Sequence, residues 1–196
     1  MTERLPPAVA VYADESCLGN GRDGDNPGGA AGLIEYAGSK SDGGSEGTVS
    51  RFDYWISEPA TTNNKMALRS AIEALKILSR KGKRLRVNFV SDSQYLVKGM
   101  NEWVPGWKAR GWRRKVGPIE NLALWKEAVD LAQAHDIQWQ WVRGHSKHPQ
   151  NEYADHLATR AARAQTQSGG MVPSLYEEWL AAQTAKGRLA SAPLTR

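Results

Sequence analysis

Near residue 63 the hydrophobic period of this chain changes from that of strands to that of a helix. Before it, AVAVYAD (8–14) reads as a short buried strand and AAGLIEYAG (30–38) as a second. TVSRFDYWI (48–56) alternates and carries aromatics, as a third strand in an antiparallel meander does. Turn-rich GNGRDGDNPGG (19–29) and polar SKSDGGSEG (39–47) join them. From there Leu68, Ala71 or Ile72, Leu75 and Leu78 recur at helical spacing, which predicts a helix over 63–80. A chain that opens this way builds a sheet first and packs helices on it.

The remaining elements follow suit. RVNFVSD (86–92) reads as a strand buried on both faces, SQYLVKGMNEW (93–103) opens a helix, and ENLALWKEAVDLAQAH (120–135) is an amphipathic helix. IQWQWV (137–142) is a fifth strand and NEYADHLATRAARAQ (151–165) a core helix. The order β-β-β-α-β-α-α-β-α predicts an α/β fold. Its mixed five-stranded sheet has three antiparallel strands, then parallel ones, with helices on its faces. The domain spans 8–165. In the extension 166–196, TQSGG is a linker by composition, and VPSLYEEWLAAQTAKG (172–187) forms a short helix that docks on the domain. Ser174 is its expected cap, with Leu175, Trp179 and Ala182 along one stripe.

At 196 residues, 40% hydrophobic and 24% charged, the chain is an ordinary globular one with no apolar run of membrane-spanning length. No apolar signal core opens it, and Cys17, its one cysteine, leaves no intramolecular disulfide to form. Cytosolic residence is the expectation. The net charge of +5 is concentrated. RKGKRLR (80–86) is basic at five of seven positions. KARGWRRK (108–115) is basic at five of eight and free of acids, with Trp107 and Trp112 alongside. Faces that merely stay solvated mix signs, so Lys108, Arg110, Arg113, Arg114 and Lys115 point to a phosphate-binding arm.

Asp14 closes the first strand, Asp92 closes the fourth, and Asp155 lies near the start of the last core helix. One acid at a strand end is commonly a turn-former. Three at the ends of elements that can neighbour one another make a metal site, since hard cations take oxygen ligands.

At these blocks the chain resembles type 1 ribonuclease H, the endonuclease that cuts the RNA strand of an RNA–DNA hybrid. YADESCLGN, TTNNKMAL, SDSQYLVKGMNEWVPGWKARGW and WVRGHSKHPQNEYAD carry the resemblance, in family order, over roughly 8–163. It implies two Mg2+ ions, with Mn2+ as a substitute, held by Asp14, Asp92 and Asp155. It implies His145 as a mobile histidine aiding proton transfer or product departure. Asn20, Asn63, Asn64 and Gln94 would contact the hybrid in its minor groove, where 2′-hydroxyls are displayed. Thr62 and Asn121 would grip a DNA-strand phosphate. Trp103, Trp107 and Trp112 would lie in the basic protrusion, as packing or as substrate contacts. The implied partner is a hybrid rather than a membrane, and the implied state a monomer.

Two departures from the family pattern bear on catalysis. Glu15 stands where the family has Gly, and Ala67 stands where it has its second metal-ligand Glu. Two-metal catalysis places cations about 4 Å apart, so a lost carboxylate weakens the site. Glu73, about 9 Å further along the helix and roughly 240° around it, is no replacement. Glu15 points away from Asp14 on a regular strand and becomes a substitute only where a bulge or strand end turns it inward. With Asn64 as N-cap, residue 67 would be the third helical residue. Ala67→Glu would then change stability by less than about 1 kcal/mol while raising the Mg2+ rate. Two rivals stay open: a hybrid-binding module that cuts poorly, favoured by Ala67, and a same-fold nuclease acting on double-stranded RNA.

Overall fold

Strand β1 (Ala8–Cys17) lies inside the sheet, pairing antiparallel with β2 (Gly28–Ala37) and parallel with β4 (Arg86–Ser91). This computed structural model describes residues 8–19, 26–37, 48–144 and 146–189. β3 (Val49–Glu58) extends the meander beyond β2, and β5 (Asp136–Trp141) pairs parallel with β4. The strand order is β5-β4-β1-β2-β3, with one further strand beyond β3. The expected mixed sheet is present with a sixth strand, β6 (Val172–Pro173), antiparallel to β3. Two residues, one a proline, carry no periodic signal, yet they cover part of an otherwise open edge.

Helix α1 (Asn63–Ser79) and α4 (Leu122–Ala132) pack together on one face, and α5 (Pro149–Ala164) covers β1, β2 and β3 on the other. Gly29 permits that second contact, because a Cβ there would collide with the Ala158 carbonyl of α5. On the α1 side run α2 (Gln94–Lys98), a π-helical turn over Gly99–Trp103 and α3 (Val104–Ala109), end to end, with Leu96, Met100 and Val104 in the same buried cluster as α1 and α4. No helix among the described residues is long and apolar enough to cross a membrane.

The start of α1 differs from expectation. Thr62, not Asn64, is the N-cap, and its hydroxyl accepts from the Lys65 N–H at 3.3 Å. Thr61 is buried, with its N–H on the Asn26 carbonyl at 3.0 Å, and this long-range bond sets where the helix begins. Ala67 therefore sits a full turn inside, completely buried among Ala13, Tyr54 and Ala71.

The extension is part of the fold. Thr166–Gly170, linker-like in composition, is tied to β3: the Ser168 N–H donates to the Trp55 carbonyl at 2.9 Å, and the Trp55 N–H to the Ser168 hydroxyl at 3.1 Å. The buried Asp53 carboxylate accepts from the Tyr153 hydroxyl of α5 at 2.7 Å and from the Leu175 N–H at 3.3 Å. That anchor fixes the rotation of α6 (Tyr176–Ala185), so Tyr176, Trp179 and Leu180 face the core while Leu175 and Ala182 are exposed. The expected stripe is thus turned by about a residue. Leu175, not Ser174, is the N-cap, although the Ser174 hydroxyl accepts from the Tyr176 N–H at 3.1 Å. Trp179 and Tyr176 lie 5.1 and 5.4 Å from the Tyr153 ring, centroid to centroid. A chain ending at residue 165 loses this cluster, and we expect it to be less stable by about 3 kcal/mol, the burial of roughly two large apolar side chains. Urea unfolding measures the loss, and an unaltered midpoint refutes it.

Candidate metal centre and nucleic-acid interface

Strand β4 stops at Ser91, whose partner in β1 is Ala13, so residues 14 and 15 of β1 have no strand on that side. Along β1, Val9, Val11 and Ala13 face the α1 layer, and Glu15 continues that parity. Tyr12 faces the α5 layer, and Asp14 shares its parity, its Oδ2 accepting from Asn151 Nδ2 of α5 at 3.1 Å. Glu15 and Asp14 nevertheless converge with Asp92: one carboxylate oxygen from each lies within 4.8 Å of the others. No bulge is involved, since the β1–β2 register runs unbroken through both residues. Where the neighbouring strand has ended, side chains from opposite faces can reach round to the residue that follows it.

Asp14 is 6% exposed, and its second oxygen accepts from the Glu15 N–H at 2.7 Å. Burial, then the charges of Asp92, Glu15 and Asp155, push its carboxyl well above the usual range. Burial and the Asp92 charge push Glu15 up to about 8, against a hydrogen bond from the Ser93 hydroxyl. Carboxylates crowded this closely hold protons at neutral pH until a cation replaces them, which is the behaviour of a site built for a hard divalent ion. The donor set fits such an ion.

Of the acids expected at a metal site, Asp14 and Asp92 are together and Asp155 is near enough for its charge to bear on Asp14, without belonging to the closest group. Glu15 completes that group. His145 and Asn20 lie outside the described residues. Asn151 and Ser93 were not singled out in the sequence. Asn151 stands in the quoted WVRGHSKHPQNEYAD block, but a buried asparagine bonded to a carboxylate 137 positions away leaves no local signature.

The side chains expected on nucleic acid split into two groups. Thr62, Asn64 and Gln94 are exposed at the starts of α1 and α2, with Asn63 half-buried beside them. Asn121, in left-handed backbone (φ 55°), donates to the Tyr95 hydroxyl at 3.2 Å. Trp103 and Trp107 are packed, their rings 5.9 Å apart and Trp107 5.6 Å from buried Trp125. Trp112 also turns the chain, at φ 61° with its N–H on the Trp107 carbonyl at 2.7 Å and the Lys126 ammonium 5.8 Å from its ring centroid. All three indoles are partly buried against the core cluster. Lys108, Arg110, Arg113, Arg114 and Lys115 are exposed, and among the described residues none is paired with a carboxylate. Arg110 and Arg114 instead donate to the Arg113 and Pro118 carbonyls, at 3.2 and 3.3 Å, which shapes the arm without cancelling its charge.

The ribonuclease H family model matches residues 6–163. Ribonuclease H of Pelobacter propionicus is 42% identical over 154 residues, covering 78% of this chain and 83% of the relative. Ribonuclease H of Cupriavidus necator is 43% identical over 158 residues, covering 80% and 96%. Among solved structures, LC9-RNase H1, a type 1 RNase H with the type 2 active-site motif, is 59% identical. The match covers 96% of this chain and 88% of that one, with a TM-score of 0.86.

Proposed function

The chain belongs to the ribonuclease H family, and on that premise we propose that Asp14, Glu15, Asp92 and Asp155 hold its divalent ions. It is a metal-dependent endoribonuclease that hydrolyses the RNA strand of RNA–DNA hybrids. The observation that carries the proposal is the convergence of Asp14, Glu15 and Asp92 within 4.8 Å at the end of β4. LC9-RNase H1 joins a type 1 protein to the type 2 active-site motif. Glu15 beside Asp14, with Ala67 in place of the expected Glu, supports a comparable shift here. The binding-module rival rests on Ala67, and Glu15 removes its ground by supplying the missing charge.

Two Mg2+ ions are the proposed complement, with Mn2+ as a substitute that N/O sites bind more tightly. Bound there, such ions activate water and stabilise the leaving oxygen. The protein's part is orientation: Asn151 and the Glu15 N–H fix both oxygens of Asp14, and Ser93 holds Glu15. Asp155 adds charge from α5, and His145 serves proton transfer or product departure. Asn20, Thr62, Asn63, Asn64, Gln94 and Asn121 position the duplex along its minor groove and DNA strand. The products carry 3′-hydroxyl and 5′-phosphate ends.

A labelled hybrid incubated with Mg2+, then with Mn2+, tests the reading. RNA left intact with both ions defeats it. Binding has its own test. Neutralising Lys108, Arg110, Arg113, Arg114 and Lys115 together is expected to weaken hybrid binding and flatten its dependence on salt by up to about four in the logarithmic slope. Melting temperature stays near that of the parent, because all five are exposed. An unchanged slope takes the arm out of the interface.

A further inference from the structure

Trp141 is the one aromatic among the exposed large hydrophobic side chains of the described residues, at 44% exposure. It closes β5 beside the acid cluster, and its indole N–H donates to the Asp92 backbone carbonyl at 3.0 Å. Two further contacts tie this segment to Ser91 and Asp92. The Val142 N–H continues the ladder to the Ser91 carbonyl at 3.1 Å, and Gly144 passes so near that a Cβ there would collide with Asp92 Oδ2. An exposed indole on a free surface is mobile and costs hydration. This one is held by its polar edge and stays 44% exposed next to the acid cluster. Amphipathic aromatics are used in that way where one side is anchored and the other receives a partner.

We propose that Trp141 has two roles: its ring packs on the sugar face of the RNA strand beside the cut, and its N–H positions Asp92. The proposal rests on the reading of the acid cluster as the cleavage site. An RNA-containing duplex presents a wide, shallow minor groove lined with ribose edges, which a flat ring can cover without opening base pairs. The contact is apolar, so it adds affinity without releasing counterions. That separates it from the basic arm.

Two variants divide the roles. Trp141→Leu removes the ring, and Trp141→Phe keeps a ring while deleting the donor. Hybrid binding is measured without divalent ions, cleavage in single turnover, and Mg2+ binding by calorimetry. Trp141→Leu is expected to weaken hybrid binding about tenfold, the size of one aromatic–nucleotide contact, with the salt slope unchanged. Trp141→Phe is expected to keep the parent's hybrid affinity while lowering Mg2+ affinity and rate about tenfold, as loss of a ligand's outer hydrogen bond does. Parent-like binding by the Leu form, or a loss accompanied by a changed salt slope, overturns the contact. Parent-like Mg2+ binding and rate in the Phe form overturn the positioning. Asp92→Asn is the control: if it cleaves at the parent rate, the cleavage-site reading fails, while the Leu binding result still decides the contact.

Discussion

Glu15→Gln is expected to lower single-turnover cleavage of a hybrid in Mg2+ by about 10³-fold, as far as Asp14→Asn does, because a metal-held transition state loses roughly 4 kcal/mol with a ligand. Hybrid binding measured without divalent ions stays at the parent value, since Glu15 belongs to the cluster and not to the basic arm. The same substitution has a readout that needs no substrate. Burial and Asp92 raise the Glu15 carboxyl to about 8 in the folded, metal-free protein, above its ordinary 4.5. The folded state therefore binds this proton more tightly than the unfolded state. The stability it contributes is fully present below about 4.5 and is lost as pH rises through about 8. Between those values the metal-free melting temperature should fall as pH rises, Mg2+ should reverse the fall, and Glu15→Gln should flatten it. A Gln form that cleaves at the parent rate would show that Glu15 is no ligand.

Ala67→Glu is expected to destabilise the protein by about 4 kcal/mol, not by the fraction of 1 kcal/mol that a first-turn position implies. Ala67 is 0% exposed, and it lies in the fifth helical position after the Thr62 cap, beyond the reach of a capping box. A carboxylate grafted there either remains buried among Ala13, Tyr54 and Ala71 or reaches the cluster, where Glu15 has already raised the local charge. Urea unfolding of the two forms gives the cost, and single-turnover cleavage in Mg2+ shows whether the added oxygen is used. An Ala67→Glu form that is as stable as the parent and faster in Mg2+ would mean that position 67 is an open ligand place and that Glu15 does not fill it.

The sequence by itself determined the element order, because burial on one face imposes a period of 2 on a strand and about 3.6 on a helix, and both are local. It placed Asp92 at a strand end and five cations in one acid-free run for the same reason: nearby residues share an element. Asp14, expected to close β1, lies three residues before its end at Cys17, because the pairing with β2 continues through it. The tertiary structure alone decided what those acids meet. Residues 14 and 15 face opposite ways on any regular strand, and their convergence depends on β4 ending at Ser91, which no pattern in β1 encodes. The Asn26–Thr61 bond moved the cap of α1 and buried Ala67. Asp53, bonded to Tyr153 and to Leu175 at separations of 100 and 122 positions, turned a composition that reads as linker and tail into a sixth strand and a docked helix. Trp141 shows the limit most directly: within β5 it is one more alternating aromatic, and only the loop that brings Asp92 under its indole N–H sets it beside the cluster. Periodicity reports which face of an element is covered. Which side chains converge depends on where a neighbouring element stops.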